Sequence, residues 1–237
     1  MCGRYGFVPG EDFYPRYNIT NRLKTLSASY NVAPGYSMPV VVRENPNLVY
    51  LMRWGLIPFW AKDIKIGYKM INARAETVEE KSAFRKPFES RRCLIPASGF
   101  YEWKKTGNEK IPFYIKRKDN GLFSFAGLYD VWTDVEGKEI KSYTIITTKP
   151  NKLIESIHNR MPVILKKEEE NHWIDSINQN IEKIKELLAP YPDGEFEAYP
   201  VTRAVNNPEN DSPDLIKPGK PGWQPQKNYS NSKNIIT

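Results

Sequence analysis

The sequence predicts an α+β protein, one domain built on a predominantly antiparallel, barrel-like sheet with several short helices. Three observations lead there: short β-branched or aromatic runs recur between Gly, Asn and Pro punctuation, two gaps carry hairpin turns, and helical periodicity is confined to brief stretches. In chain order the strand runs are 38–43, 48–54, 111–117, 122–129 and 140–147, each alternating or continuously apolar. Thr106-Gly107-Asn108 predicts a hairpin between 99–105 and 111–117. Asp134 to Gly137 predicts a second one, between strands near 124–132 and 140–147. Apolar spacing predicts helices at 75–86, at 151–158 and at 178–189, where Ile181, Ile184, Leu187 and Leu188 form one stripe. Cys93, followed by Leu94 and Ile95, reads as core, and so does Trp54 in a Trp-Gly-Leu-Ile-Pro run. The composition changes over 206–237, with five prolines and six asparagines among few apolar residues. The expected organisation is therefore a domain at 1–208 and an irregular, partly ordered arm at 209–237, fraying after about Trp223.

The chain has 237 residues, a length that suits one domain with one core. Its apolar runs are too short to span a bilayer and no leader pattern opens the sequence, so neither membrane insertion nor export is expected. Two distant cysteines without CxxC spacing exclude a disulfide framework and a cysteine-rich metal site, which points to a reducing cytoplasm and to no metal or other cofactor. Charge is unevenly placed. Residues 1–120 hold 21 Lys and Arg against 11 Asp and Glu, whereas 121–237 hold 14 against 17. The basic half, with aromatic residues drawn from 6 Trp, 14 Tyr and 10 Phe, has the composition of a single-stranded nucleic-acid site or of a solvated cationic face.

The chemistry begins at the second residue. Met1-Cys2-Gly3 places a small side chain after the initiator, a setting in which the methionine is usually removed, leaving Cys2 with a free α-amine beside its thiol. With ordinary pKa values near 7.7–8.0 and 8.5, both groups are partly deprotonated around neutral pH. An aldehyde meeting this 1,2-aminothiol forms a Schiff base with the amine, and the thiol then closes a five-membered thiazolidine ring.

Six short polar-aromatic motifs accompany Cys2: Cys2-Gly3-Arg4-Tyr5, Tyr30-Asn31-Val32-Ala33-Pro34, the run from Arg53 to Trp60, Ile71-Asn72-Ala73-Arg74-Ala75-Glu76-Thr77, the run from Cys93 to Trp103, and His158-Asn159-Arg160-Met161-Pro162. On these the sequence resembles the SRAP family, the SOS-response-associated peptidase fold that includes abasic-site shielding proteins. The motifs run from Cys2 to about Pro208 and leave the arm outside. The resemblance implies a role in the DNA damage response, with Cys2 attacking the ring-opened aldehyde of an abasic deoxyribose in single-stranded DNA and remaining attached as a thiazolidine. It also implies that Asn72, Glu102 and His158 form the catalytic surround. His158 titrates in the range needed to protonate the sugar ring oxygen. Glu102, between Tyr101 and Trp103, is expected in a partly apolar setting that raises its pKa and suits it to moving protons. Asn72 supplies a fixed dipole.

Arg4, Arg74 and Arg160 suit phosphate oxygens, with Lys69, Arg85 and Lys86 as weaker candidates. Trp60 is the better candidate for base stacking than Trp54, and Pro34 helps form the platform. His172 has no motif around it. The expected partner is abasic single-stranded DNA, bound without sequence preference by a monomer that is cytoplasmic and nucleoid-associated. Two other classes stay open on sequence: a cysteine peptidase with N-terminal autoprocessing, and a noncovalent binder of modified or single-stranded nucleic acid.

Overall fold

The computed structural model describes residues 2–43, 47–175 and 180–219. In chain order the strands are β1 (Arg4–Phe7), β2 (Ser29–Val32), β3 (Ser37–Arg43), β4 (Asn47–Trp54), β5 (Asn72–Arg74), β6 (Arg92–Ala97) and β7 (Gly99–Thr106). They continue as β8 (Glu109–Arg117), β9 (Phe123–Thr133), β10 (Glu139–Thr148), β11 (Met161–Pro162), β12 (Ile164–Leu165) and β13 (Phe196–Pro200). The architecture is the one the sequence predicts, mostly β and largely antiparallel with short helices. Both expected hairpins form, as β7–β8 and β9–β10.

One sheet runs β13-β8-β7-β1-β2, and the other closes on itself because β10-β4-β3-β6-β9 returns to β10. Closure removes the open edges that such strands would otherwise present. It depends on two departures from the antiparallel rule, since β10 pairs in parallel with both β4 and β5. Local runs cannot announce such long-range pairings. Aromatic rings meet in the core: Trp54 stacks on Tyr143 at 6.4 Å between ring centroids, and Tyr5 meets Trp54 edge-on at 5.3 Å.

Helices are shorter than the periodicity predicts. The stretch 75–86 divides into a 3-10 turn at Ala75–Thr77 and a helix at Ser82–Ser90, because the Thr77 carbonyl accepts from both Glu80 and Lys81 and closes a turn between them. The expected helix at 151–158 is one turn, Lys152–Glu155, capped by the Asn151 side chain. At 178–189 the helix is Ile181–Glu186, with Ile184 and Leu188 buried, and 178–179 lie outside the described residues. Beyond β13, Val205 and Leu215 are buried against Tyr101 and Tyr114, so residues 209–219 pack on the outer face of β7 and β8. The rest of the expected arm, 220–237, lies outside the described residues.

Candidate active site around Cys2

β1 delivers the start of the chain to the site. Its antiparallel register with β7, Arg4 opposite Tyr101 and Tyr5 opposite Phe100, runs the preceding residues along Glu102. Cys2 is fully buried, its Sγ 3.8 Å from the Arg4 carbonyl. Burial pushes its thiol far above the ordinary range, and the Glu102 charge adds to that push. The thiol here is therefore neutral, unlike the partly ionised group expected from its free pKa. Behind it Tyr5 and Tyr143 share a buried hydroxyl–hydroxyl bond of 2.7 Å.

Asn72 begins β5 and is fixed opposite Ile145 of β10. Its Nδ2 donates to the Cys2 carbonyl at 2.8 Å, while its Oδ1 is buried with no partner among the described residues. Glu102 is 2% exposed, and burial lifts its carboxyl to about 7 despite the opposing pull of the positive amino terminus. His158 follows the Lys152–Glu155 turn, with Nε2 4.0 Å from Glu102 Oε2. Nδ1 of His158 lies 3.1 Å from the Arg160 amide and 3.3 Å from the Arg160 carbonyl, and the shorter bond, donated by the amide, favours the tautomer with its proton on Nε2, facing Glu102. Partial burial lowers the His158 pKa, as does the amino terminus. Near neutrality the site thus holds a partly protonated carboxyl beside a largely neutral imidazole. The structure brings together all four residues expected to carry chemistry: Cys2, Asn72, Glu102 and His158.

The expected binding residues divide by what they touch. Arg74 is exposed on β5. Arg160 makes a two-point ion pair with Glu76, at 2.5 and 2.9 Å, and a 2.6 Å bond to the Thr147 carbonyl. That pair draws the Glu76 carboxyl below its ordinary range. Arg4 Nη1 donates to Asn31 Oδ1 at 3.1 Å and to the Val205 carbonyl at 2.8 Å, tying β1 to the C-terminal segment. Asn31 strengthens the tie, its Nδ2 within reach of the Val205, Asn207 and Asn210 carbonyls at 3.2, 3.0 and 2.9 Å. Pro34 is half-buried in the turn between β2 and β3. Lys69, Arg85 and Lys86 are exposed, and so is His172. Trp54 and Cys93 are core.

Trp60 is 46% exposed, on a segment stitched to the β9–β10 hairpin: Ser142 Oγ accepts from Ile57 N, Asp130 from Phe59 N, and Trp132 Nε1 donates to the Ala61 carbonyl. At its base Gly55 has φ +115°, and a Cβ there would come within 2.5 Å of the Gly67 carbonyl oxygen, so only glycine fits. Sequence reading did not single out Glu76 or Asn31. Both lie inside the quoted motifs, but nothing in their spacing reveals partners 84 and 174 or more residues away.

Two grooves flank the four residues. One, of about 440 Å³, includes Trp60, Asn72, Arg74, Lys81 and Phe84. The other, of about 550 Å³, is lined by Glu102, Trp103, Lys105, Lys110, His158 and Asn206. A larger hollow of about 740 Å³ between Thr202 and Gly219 contains none of the four. Among the described residues no cluster of His, Cys, Asp and Glu could hold a metal ion, and no helix is long and apolar enough to cross a membrane.

Fold and site define a β-rich protein whose first strand delivers a buried cysteine to a carboxyl, an imidazole and an amide. The profile of the SOS response associated peptidase (SRAP) family matches residues 1–208. Abasic site processing protein YoqW of Bacillus subtilis strain 168 is 50% identical over 222 residues, covering 92% of this chain and 99% of the relative. Abasic site processing protein YoaM of the same strain is 45% identical over 221 residues, covering 91% and 97%. A crystal structure of a protein from Bacteroides thetaiotaomicron matches with a TM-score of 0.83 at 32% identity, covering 92% of this chain and 100% of that one. The chain belongs to the SRAP family.

Proposed function

We propose that this protein processes abasic sites by covalent capture: with Met1 removed, Cys2 condenses with the aldehyde of an abasic deoxyribose in single-stranded DNA to form a thiazolidine. Met1 lies outside the described residues, and its removal is part of the reading. The observation that carries it is the convergence on Cys2 of a carboxyl titrating near 7, a neutral imidazole and an amide anchor. The relatives' names give the substrate class.

The neutral thiol sets the order of events. The α-amine attacks first, adding to the aldehyde carbon to give a carbinolamine. Protonated Glu102 gives its proton to the departing hydroxyl, which leaves as water and yields the Schiff base. The thiol then adds to the carbon of the protonated C=N, the π pair going to nitrogen and the thiol proton to the Glu102 carboxylate, which restores the acid. One C–N and one C–S bond form, the C=O bond is lost, and one water leaves. His158, with its proton on Nε2, assists the opening of the sugar hemiacetal. Asn72 holds the Cys2 carbonyl, and its open Oδ1 faces the same reacting region. Arg74 and Trp60 hold the strand in the first groove.

The test is a denaturing gel with the mature protein and single-stranded DNA carrying one abasic site. A heat-stable shifted band, absent with intact DNA and lost in Cys2→Ala, is expected. An equal band from Cys2→Ala would overturn the reading, and binding that never survives denaturation would favour a noncovalent pocket.

A further inference from the structure

Lys105 and Lys110 line the same groove as Glu102 and His158 but have no part in the capture chemistry. Lys105 and Lys110 are directly opposite one another on the β7–β8 hairpin, and both are exposed. Like charges in that position destabilise a strand pair. Their neighbourhood does not compensate them. Glu109, at the hairpin tip, is paired with Arg203 at 2.9 Å, and neither lysine has an ion pair among the described residues. Trp103 forms a wall of the same groove, its Nε1 fixed by a 2.8 Å bond to Asn206 Oδ1. A cationic pair, an aromatic wall and an open channel ending at the reacting residues suit a nucleic-acid backbone.

The second argument is the placement of the two grooves. The Trp60–Arg74 groove reaches Cys2 through Asn72, and the Lys105–Lys110 groove reaches it through Glu102, yet they share no lining residue. A strand whose abasic sugar sits at Cys2 needs a path on each side of it. Resting on the capture reading, we propose that the hairpin groove holds the DNA flank on the side of the lesion away from Arg74, with Lys105 and Lys110 each taking a backbone phosphate. The anionic flank then offsets the repulsion between the two lysines.

The test uses the full-length mature protein and abasic oligonucleotides extended on both sides of the lesion, or on only one side or the other. Adduct formation rates are measured across a range of salt. With the oligonucleotide carrying the hairpin-side flank, Lys105→Ala/Lys110→Ala should flatten the slope of log rate against log salt by about 1.4, two single-strand phosphate contacts, or about sevenfold over a fourfold change in salt. With the opposite one-sided oligonucleotide the slope should not change, whereas Arg74→Ala should show the reverse pattern. Lys105→Arg/Lys110→Arg should retain the wild-type slopes. Unchanged slopes with both one-sided substrates, or equal flattening with both, would overturn the assignment while leaving capture intact. A wild-type protein that forms no adduct even with the two-sided substrate would overturn the capture reading and the assignment with it.

Discussion

Glu102 and His158 approach to 4.0 Å between Oε2 and Nε2, and the proton available to the pair near neutrality resides on the carboxyl. Burial raises the acid to about 7 and lowers the imidazole, so the two titrate in the reverse of their ordinary order. The histidine, which sequence reading selects for its pKa, is the weaker base here, and the glutamate holds the proton more tightly.

This inversion predicts a narrow pH profile for adduct formation. The rate should climb as the α-amine loses its proton near its ordinary 7.7–8.0 and fall as Glu102 ionises above about 7. Glu102→Gln should lower the maximal rate and leave a single rising limb, with DNA affinity unchanged. A Glu102→Gln variant that keeps the wild-type rate and bell would remove this residue from the mechanism.

The same group should cost stability at alkaline pH. Its folded pKa is raised from 4.5 to about 7, so across that window the native state holds a proton that the unfolded state releases, and stability falls as pH rises. Above about pH 7 the loss is complete, about 3 kcal/mol for a shift of that size. Thermal melts at pH 8 should place Glu102→Gln several degrees above wild type, with the difference gone near pH 4.

Asn72 anchors the chain start, and its loss should be felt in both folding and chemistry. Asn72→Ala removes the 2.8 Å bond to the Cys2 carbonyl and should cost about 1 kcal/mol while slowing capture at saturating DNA. Asn72→Asp, which keeps the shape but loses the donor, should be at least as slow. Single-turnover rates alongside chemical denaturation distinguish the two effects.

Four of the five barrel strands, β3, β4, β9 and β10, and the buried Trp54 and Cys93 were legible because apolar alternation and aromatic runs report burial directly, whereas β6 was read only as core around Cys93. The closing pairings were not. Neither β5 nor the parallel contact between Tyr143 and Trp54 has a local signature, since both depend on partners far away in the chain. The motifs picked out four residues that the fold brings together, but not their electrostatics: a cysteine sealed at 0% exposure cannot be told from an open one by its neighbours in sequence. Arg4 and Arg160 illustrate the same limit. Their residue type suggests phosphate contacts, and only the folded chain reveals Asn31, Val205 and Glu76 at their guanidinium groups.

The Glu76 pair leads to a prediction of opposite sign to the usual. Glu76→Gln removes a carboxylate that neutralises Arg160, while the bond to the Thr147 carbonyl keeps the side chain in place. Affinity for single-stranded DNA should rise a few-fold at low salt, with a steeper salt dependence. Equal binding isotherms for wild type and variant would show that Arg160 is remote from the strand.

Asn31 fastens the C-terminal segment through three carbonyls. Asn31→Ala takes its donor from the Asn207 and Asn210 carbonyls and its acceptor from Arg4, which still donates to Val205, and should cost about 1 kcal/mol. Limited proteolysis should then cut within 203–219 well before the barrel is attacked. Wild-type resistance in that segment would assign its hold to Val205 and Leu215 packing instead.

Intact-mass measurement of the protein before and after incubation with an abasic oligonucleotide tests covalent capture most directly. The account predicts a starting mass lacking Met1 and a product equal to that protein plus the oligonucleotide minus one water, absent from Cys2→Ala. A stable adduct of Cys2→Ala, at that variant's mass plus the oligonucleotide minus one water, or an adduct that retains Met1, would contradict it.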